Sequence, residues 1–183
     1  MISAALIAGG RSVRMGRDKC LVEIDGMPLW KRQFAVLSKL SAEIMIVAPE
    51  RPAWCPPTAH WVPDRVPNSG PLAGLEAALA ASPHARLLVL AVDLPGMTSA
   101  YLESLAAQAT DTCGAVPVID GLFQPLSAIY PRTSLPTVTR HLAEPDKSMQ
   151  RLVRTLVAGG TMKCIFVSET ELPHFRNLNS PQD

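Results

Sequence analysis

The chain has 183 residues, a formal net charge of +1 at pH 7 and four cysteines. That length can bury a hydrophobic core without disulfides or structural metal ions, so we expect a single domain over residues 1–183. A nearly neutral chain lacks the broad basic field that a nucleic acid backbone requires, so we expect no nucleic acid partner. The cysteines are far apart and lack zinc-ligand spacing, which favours reduced thiols in the cytoplasm over a disulfide framework or a zinc site.

Short apolar runs alternate with helical stretches along the chain. The candidate strands are ISAALIA, EIMIVA, RLLVLAV, GAVPVI, PLSAIY and KCIFV, and the candidate helices are PLWKRQFAVLSKL, GPLAGLEAALAAS, SAYLESLAAQA and KSMQRLVRTLVA. This alternation predicts an α/β fold, a three-layer α/β/α Rossmann-like arrangement around a mostly parallel central sheet. The runs ALIA and LLVLAV are apolar throughout, as in central strands covered on both faces. No apolar run is long enough to span a bilayer, so we expect a soluble protein without a membrane partner.

Punctuating residues set the expected boundaries between these elements. Pro28 and Pro71 fit the first turn of a helix, Gly159 with Gly160 fits a helix stop, and Pro136 interrupts a late helical stretch. Residues 49–71 are rich in proline, which predicts a long ordered loop with one short strand near residues 60–62. Long loops in compact domains are often functional.

The segment LIAGGRSVRMGRDK places a glycine-rich loop directly after the first strand. Three glycines would let the backbone turn and bring its N–H groups against phosphate oxygens: Gly9, Gly10 and Gly16. Arg14 and Lys19 would supply positive charge there. The glycine spacing matches neither the P-loop nor the dinucleotide-binding fingerprint, which argues against both classes. The structural alternative is a glycine-rich turn with solvated basic side chains.

Asp93 directly follows the buried strand RLLVLAV and precedes Leu94-Pro95. In open α/β sheets, ligands bind at the carboxyl ends of the strands. A carboxylate at that edge suits Mg²⁺, which is usually shared between one or two carboxylates and substrate phosphates. The alternative is a helix cap or a turn residue.

The segment IAGGRSVRMGRDKCLVEIDGMPLW resembles the N-terminal signature of the molybdenum cofactor guanylyltransferase family, within the wider nucleotidyltransferase group. The family pattern is close to LAGG, three variable residues, RMG, one variable residue and DK. The matching positions are Ala8, Gly9, Gly10, Arg14, Met15, Gly16, Asp18 and Lys19. In this family AGG accompanies GTP, whereas the cytidylyl branch tends to carry AAG, so Gly10 favours GTP.

The resemblance implies an enzyme with a nucleotidyltransferase fold that uses Mg²⁺ to transfer GMP from GTP to the terminal phosphate of molybdopterin, releasing pyrophosphate. It implies that Arg14, Lys19 and Asp93 are catalytic and that Asp93 holds the metal. The residues implied to bind the nucleotide are Leu6, Ala8, Gly9, Gly10, Gly16, Lys19, Asp64, Gly70 and Asn179. GTP and molybdopterin are thus the expected substrates, and transient contact with molybdoenzymes or cofactor chaperones is also implied.

Several of these assignments have structural alternatives. Asp64 precedes a GPLAG segment, as in the family, but it could be a solvated loop acid. Gly74 on a helix is costly unless another group packs close to it. The segment GLFQPLSAIY resembles the acceptor side, although Tyr130 more often belongs to a core. In the tail NLNSPQD, Asn179 either binds a phosphate or caps an Asx-turn.

Other functions remain open at this point. Relatives commonly carry an asparagine after the second strand, whereas residues 44–54 of this chain contain none. A cytidylyltransferase for the same pterin and a sugar-phosphate nucleotidyltransferase are the alternative enzymes. A noncatalytic nucleotide-binding module is the alternative from another class.

Overall fold

A computed structural model of the protein describes residues 1–9, 18–64, 66 and 69–178. The strands in this part of the chain are β1 (Ser3–Ile7), β2 (Glu23–Ile24), β3 (Met27–Pro28), β4 (Ile44–Val47), β5 (His60–Val62), β6 (Arg86–Ala91), β7 (Gly114–Ile119), β8 (Leu122–Phe123), β9 (Ser127–Pro131) and β10 (Met162–Phe166). The α-helices are α1 (Leu29–Leu37), α2 (Pro71–Ala81), α3 (Ser99–Ala107), α4 (Leu135–Ala143) and α5 (Met149–Ala158).

One sheet contains all strands except the β2–β3 hairpin, in the order β10-β7-β9-β6-β1-β4-β5, with β8 paired to β7. The pairings of β9 with β6 and β7, and of β8 with β7, are antiparallel, and the others in this sheet are parallel. The mostly parallel sheet is therefore confirmed. β9 is antiparallel to its neighbours because the chain reaches it from β7 through the short strand β8, without a crossover helix.

Helices cover both faces of the sheet and make three layers. One buried cluster joins the sheet to α2, α4 and α5, and a second joins the opposite face to α1 and α3. In β1, Ala5 and Ile7 belong to the first cluster, whereas Ala4 and Leu6 belong to the second. This two-sided burial explains why the strand is apolar throughout. Within the described ranges, none of the helices has the length and apolar character needed to cross a membrane.

Most of the prolines and glycines expected at the ends of helices lie at those ends. Pro71 is the first residue of α2, and α5 ends at Ala158 before Gly159 and Gly160, with Gly160 at a φ of +71°. Pro28 immediately precedes α1. Pro136 does not interrupt a helix: it lies in the first turn of α4, where its missing N–H would have no intrahelical partner anyway.

The carboxyl ends of β1, β4, β5 and β6 meet at one edge of the sheet, which we call the carboxyl edge. The chain proceeds from β1 outwards through β4 to β5, and α2 then returns it to β6 on the other side of β1. The strand order thus reverses between β1 and β6. In open α/β sheets such a reversal leaves a crevice where ligands bind.

Candidate active site

Two residues that the sequence singled out meet at this crevice. Lys19 follows the glycine-rich segment after β1, and Asp93 follows β6 by two residues. The Lys19 Nζ atom lies 3.1 Å from Asp93 Oδ2. Their side chains keep 21% and 31% of their accessible surface, respectively, so that both remain within reach of a ligand. The structure therefore places a cation and a carboxylate side by side at the switch in strand order.

A short 3₁₀ turn, Lys19–Leu21, presents Lys19 towards Asp93. Asp18 caps this turn, because its Oδ1 atom accepts a hydrogen bond of 3.0 Å from the backbone N–H of Cys20. The Cys20 side chain is buried beneath the turn, and burial, followed by the nearby Asp18 carboxylate, raises the pKa of its thiol. Cys20 therefore anchors the turn as an uncharged core residue.

Asp64 lies at the same edge, two residues after β5, between two glycines. A Cβ atom on Gly9 would lie 3.4 Å from Asp64 Oδ2, and one on Gly74 would lie 3.3 Å from Asp64 Oδ1. The same atom on Gly74 would also lie 3.3 Å from Val47 Cγ1. The close approach expected at Gly74 is thus present. The absence of a side chain at Gly74 makes room for the Asp64 carboxylate, and Asp64 is half-buried rather than fully solvated.

The Asp64 carboxylate is partly desolvated. Its Oδ1 atom is buried without a hydrogen-bond partner among the described residues. Burial raises the pKa of this carboxyl group above its ordinary value. Because the folded-state pKa is the higher one, ionisation of Asp64 opposes folding once the pH rises above the unfolded-state pKa.

We expect Asp64→Asn to raise the thermal midpoint at pH 7, because it removes a poorly solvated charge while keeping the shape of the side chain. The gain should shrink as the pH falls through the raised folded-state pKa of Asp64, and it should be absent below the unfolded-state pKa. Thermal unfolding of both proteins between pH 4 and 8 measures this difference. Asp120→Asn, at an exposed turn, is the matched control and should show no such pH-dependent gain. A midpoint for Asp64→Asn below that of the wild type at pH 7 would contradict the account.

Contacts from α1 and from the C-terminal segment hold the loop that carries Asp93. The buried Gln33 on α1 donates a hydrogen bond from Nε2 to the Leu94 carbonyl, at 2.6 Å. The backbone N–H of Leu178 donates to the Asp93 carbonyl at 3.1 Å, and His174 Nδ1 lies 2.8 Å from the Gly96 carbonyl oxygen. The C-terminal segment therefore fixes the backbone on which the Asp93 carboxylate stands.

We expect Gly96→Ala to destabilise the fold by roughly 1–3 kcal/mol, the usual cost of overpacking. A Cβ atom at this position would overlap the Pro173 carbonyl, so the C-terminal segment would have to move. Urea unfolding measures the loss. Gly159→Ala is a suitable comparison, since there the nearest atom would lie 3.3 Å away. Equal stability of the Gly96→Ala variant and the wild type would show that this packing is not needed.

The other predicted site residues divide into three groups. The Leu6 side chain is fully buried in the core, and the N–H groups of Ala8 and Gly9 donate to the Val47 carbonyl. Gly70 immediately precedes α2 at the carboxyl edge, with a φ of +62°. The remaining four lie outside the described residues: Gly10, Arg14, Gly16 and Asn179. Leu178, the residue before Asn179, donates its backbone N–H to the Asp93 carbonyl.

Tyr130 belongs to the core, the environment that the sequence analysis favoured for this residue. Its side chain is fully buried and its hydroxyl donates to the Pro125 carbonyl at 2.9 Å. Leu126 is partly buried against the same cluster. Beside the carboxyl end of β6, the Ala91 N–H donates to the Leu126 carbonyl.

Sequence reasoning missed several polar contacts at this edge. Gln33 was hidden in a helix, although a glutamine on an apolar helix face is a signal of a buried polar contact. Lys147 Nζ donates to Ser69 Oγ at 2.9 Å, which ties the α4–α5 connection to the start of α2. Trp54 Nε1 donates to Asp18 Oδ2 at 3.2 Å. Trp54 lies in the proline-rich loop that was expected to be functional.

The described residues contain no group of three or more His, Cys, Asp or Glu side chains that could hold a metal ion by themselves. The partly exposed Asp93 carboxylate instead fits an ion that takes one or two carboxylates and completes its shell with phosphate oxygens and water. Mg²⁺ is the common ion of this kind in phosphoryl-transfer sites.

A family profile, the MobA-like NTP transferase domain, matches residues 4–160 of the chain. The chain belongs to the MobA-like NTP transferase family. A probable molybdenum cofactor guanylyltransferase from Opitutus terrae is 38% identical over 186 residues, covering 100% of this chain and 92% of the relative. A molybdenum cofactor guanylyltransferase from Pseudomonas putida is 33% identical over 190 residues, covering 99% and 96%. The protein is therefore a nucleotidyltransferase, and the family resemblance of the glycine-rich segment is confirmed.

Solved structures confirm the fold of this nucleotidyltransferase. Molybdopterin-guanine dinucleotide biosynthesis protein A from Archaeoglobus fulgidus matches with a TM-score of 0.74 at 21% identity, covering 100% of this chain and 94% of that protein. The 2-C-methyl-D-erythritol 4-phosphate cytidylyltransferase from Thermus thermophilus matches with a TM-score of 0.67 at 19% identity, covering 100% and 95%. The three-layer nucleotidyltransferase architecture is common to these enzymes.

Proposed function

We propose that this nucleotidyltransferase transfers GMP from GTP to the terminal phosphate of molybdopterin, with Mg²⁺ as cofactor, and releases pyrophosphate. The observation that carries the proposal is the pair of Lys19 and Asp93 at the reversal of strand order. A triphosphate with a divalent cation presents the complementary pair of groups, anionic oxygens and a hard metal ion. The names of the curated relatives, molybdenum cofactor guanylyltransferases, support a guanylyl group as the group transferred and the molybdenum cofactor as its acceptor.

In the proposed reaction, a terminal phosphate oxygen of molybdopterin attacks the α-phosphorus of GTP. The new P–O bond forms as the bond between the α-phosphorus and the bridging oxygen breaks, and the electron pair leaves with pyrophosphate. No side chain forms a covalent intermediate. The task of the protein is therefore to place the two substrates and to neutralise charge.

Each residue of the pair has a separate role in this proposal. Lys19 donates hydrogen bonds to the phosphate oxygens of GTP, and Asp93 is the carboxylate that would hold the magnesium ion. Mg²⁺, when bound, neutralises phosphate charge and makes pyrophosphate a better leaving group. Because Lys19 and Asp93 neutralise each other in the free protein, the phosphate oxygens of GTP would compete with the Asp93 carboxylate for Lys19.

Asp64 is proposed to contact the nucleoside side of GTP. It lies at the carboxyl edge near Gly9, and its buried Oδ1 has no hydrogen-bond partner among the described residues. A buried acceptor without a donor is costly, and a ribose hydroxyl or a base N–H would satisfy it. Arg14, Gly10 and Gly16 remain predicted contacts of the triphosphate, and Asn179 a predicted phosphate contact.

The thermal midpoint with GTP, CTP, ATP and UTP, each with and without Mg²⁺, tests the proposed substrate. A ligand that binds only the native state raises the midpoint by mass action. We expect a Mg²⁺-dependent rise with GTP that exceeds the rise with the other three nucleotides. A larger rise with CTP would instead favour the cytidylyl alternative, and no rise with any nucleotide would contradict a triphosphate site.

A further inference from the structure

Two tryptophans stack beside the proposed nucleotide site. Trp30 lies on α1, and Trp54 lies in the loop of residues 48–59 that follows β4. Their ring centroids are 5.0 Å apart and their planes differ by 16°. Such stacking fixes the plane of the Trp54 indole and therefore the direction of its N–H group.

That N–H group points at Asp18. Trp54 Nε1 lies 3.2 Å from Asp18 Oδ2, while the other oxygen, Oδ1, accepts the backbone N–H of Cys20. Both carboxylate oxygens are thus engaged, although Asp18 itself is exposed. Without the indole, one bond to a backbone N–H would have to hold an exposed side chain that is otherwise free to rotate.

The Asp18 carboxylate caps the turn that presents Lys19. Below the turn, Cys20 is buried with 1% of its surface exposed. Above it, the Trp54 indole holds the capping carboxylate. The turn is therefore held from two sides, and Lys19 leaves it with Nζ at 3.1 Å from Asp93. A chain of direct contacts connects the aromatic stack to the proposed catalytic lysine.

We propose that Trp54 is a positioning residue for Lys19: it orients the Asp18 cap through its indole N–H and so sets the direction of the lysine. This inference rests on the proposed function, because it presumes that Lys19 binds the triphosphate. Trp54 is separated from Asp18 by 36 residues along the chain. The proline-rich loop thereby gains a role in nucleotide binding that acts through Asp18 and Lys19.

Conservative variants isolate the indole N–H from the packing of the ring. Trp54→Phe keeps an aromatic ring against Trp30 and removes the donor, and Asp18→Asn replaces the charged acceptor. We expect each single variant to lower kcat/KM for GTP by roughly threefold to tenfold, as for one hydrogen bond to a charged group at a partly exposed site. The double variant should lose no more than the larger single variant, because both changes break the same contact.

A Lys19→Met protein tests whether Trp54 acts through Lys19. In a Lys19→Met protein, Trp54→Phe should change kcat/KM and the Kd for GTP by less than about twofold, because the group that it positions is gone. Additive losses in the double variant, or a full loss in the Lys19→Met background, would overturn the inference. These outcomes would show that Trp54 acts on its own or through general stability.

Trp61→Phe is the matched control, because it also removes an indole N–H near the same loop. Trp61 Nε1 donates to the Ala48 carbonyl at 3.1 Å, whereas Trp54 Nε1 donates to the Asp18 cap beside Lys19. We expect kcat/KM for GTP to stay within about twofold of the wild type, and an equal loss in both tryptophan variants would overturn the inference. If Lys19→Met alone had no effect, the proposed role of Lys19 in binding the triphosphate would be wrong. If Lys19→Met lowered kcat/KM but Trp54→Phe did not, only the positioning role of Trp54 would be wrong.

Discussion

Asp93→Asn is expected to lower kcat for GMP transfer by at least about a hundredfold. An amide is a poor ligand for Mg²⁺, the ion proposed to neutralise the charge of the leaving pyrophosphate. The variant should fold normally. Asp93 is partly exposed, and its backbone, which the amide leaves unchanged, makes the bond to Leu178. Steady-state pyrophosphate release at saturating GTP measures the loss, and the unfolding midpoint shows that the protein remains native.

Asp111→Asn makes the same chemical change at the opposite edge of the sheet. Asp111 pairs with Arg86 at 3.4 Å and lines an open cavity that contains none of the predicted site residues. We expect this control to keep kcat within about twofold of the wild type. Near-normal turnover in folded Asp93→Asn would rule out Asp93 as the metal-binding carboxylate.

Lys19→Met is expected to lower kcat/KM for GTP by about a hundredfold to a thousandfold, the usual cost of removing one donor that stabilises transition-state charge. Methionine keeps much of the aliphatic length of the side chain and removes the ammonium group. The loss should be smaller in Lys19→Arg, which restores a positive charge with altered geometry. Initial rates at varied GTP concentrations separate effects on KM from effects on kcat.

The matched change for this prediction is Lys39→Met, in an exposed position just after α1. Lys39 follows the end of α1 that is remote from the carboxyl edge, so its removal should leave kcat/KM unchanged. A comparable loss in Lys19→Met and Lys39→Met would indicate a general effect of charge rather than a contact of Lys19 with the triphosphate.

The pair of Lys19 and Asp93 shows what the sequence could predict. The strand before the glycine-rich loop and the strand before Asp93 are both apolar throughout, so both could be placed at the centre of a parallel sheet. Parallel strands end at the same edge, and this was sufficient to bring the two residues to one side of the fold. The distance of 3.1 Å between them follows from the order β6-β1, which local patterns do not specify.

Contacts between distant segments could not be predicted in the same way. The sequence predicted a nucleotide contact for Asp64, with a solvated loop acid as the alternative, but it did not predict the partial burial of this carboxylate. That burial depends on packing beside Gly9, which follows β1, and Gly74, which lies on α2. Trp54 contacts Asp18 only because the loop after β4 folds back over the end of the glycine-rich segment. Such contacts arise from tertiary packing, and a single sequence without its fold carries no periodic signal for them.

The free protein and the proposed complex differ in one electrostatic respect. The ion pair between Lys19 and Asp93 satisfies both charges before substrate binds. A nucleotide without the cofactor could recruit Lys19 but would leave Asp93 beside a triphosphate of the same sign. A divalent ion removes this repulsion, so the proposal predicts that GTP and Mg²⁺ bind cooperatively.

The most direct test of the proposed function is to incubate the purified protein with molybdopterin, Mg²⁺ and each of the four nucleoside triphosphates, and to identify the products by mass spectrometry. We expect the guanine dinucleotide of molybdopterin with GTP, together with one pyrophosphate for each dinucleotide formed, and no dinucleotide when Mg²⁺ is omitted. Formation of the cytosine dinucleotide in preference, or of no dinucleotide with any nucleotide, would contradict GMP transfer to molybdopterin.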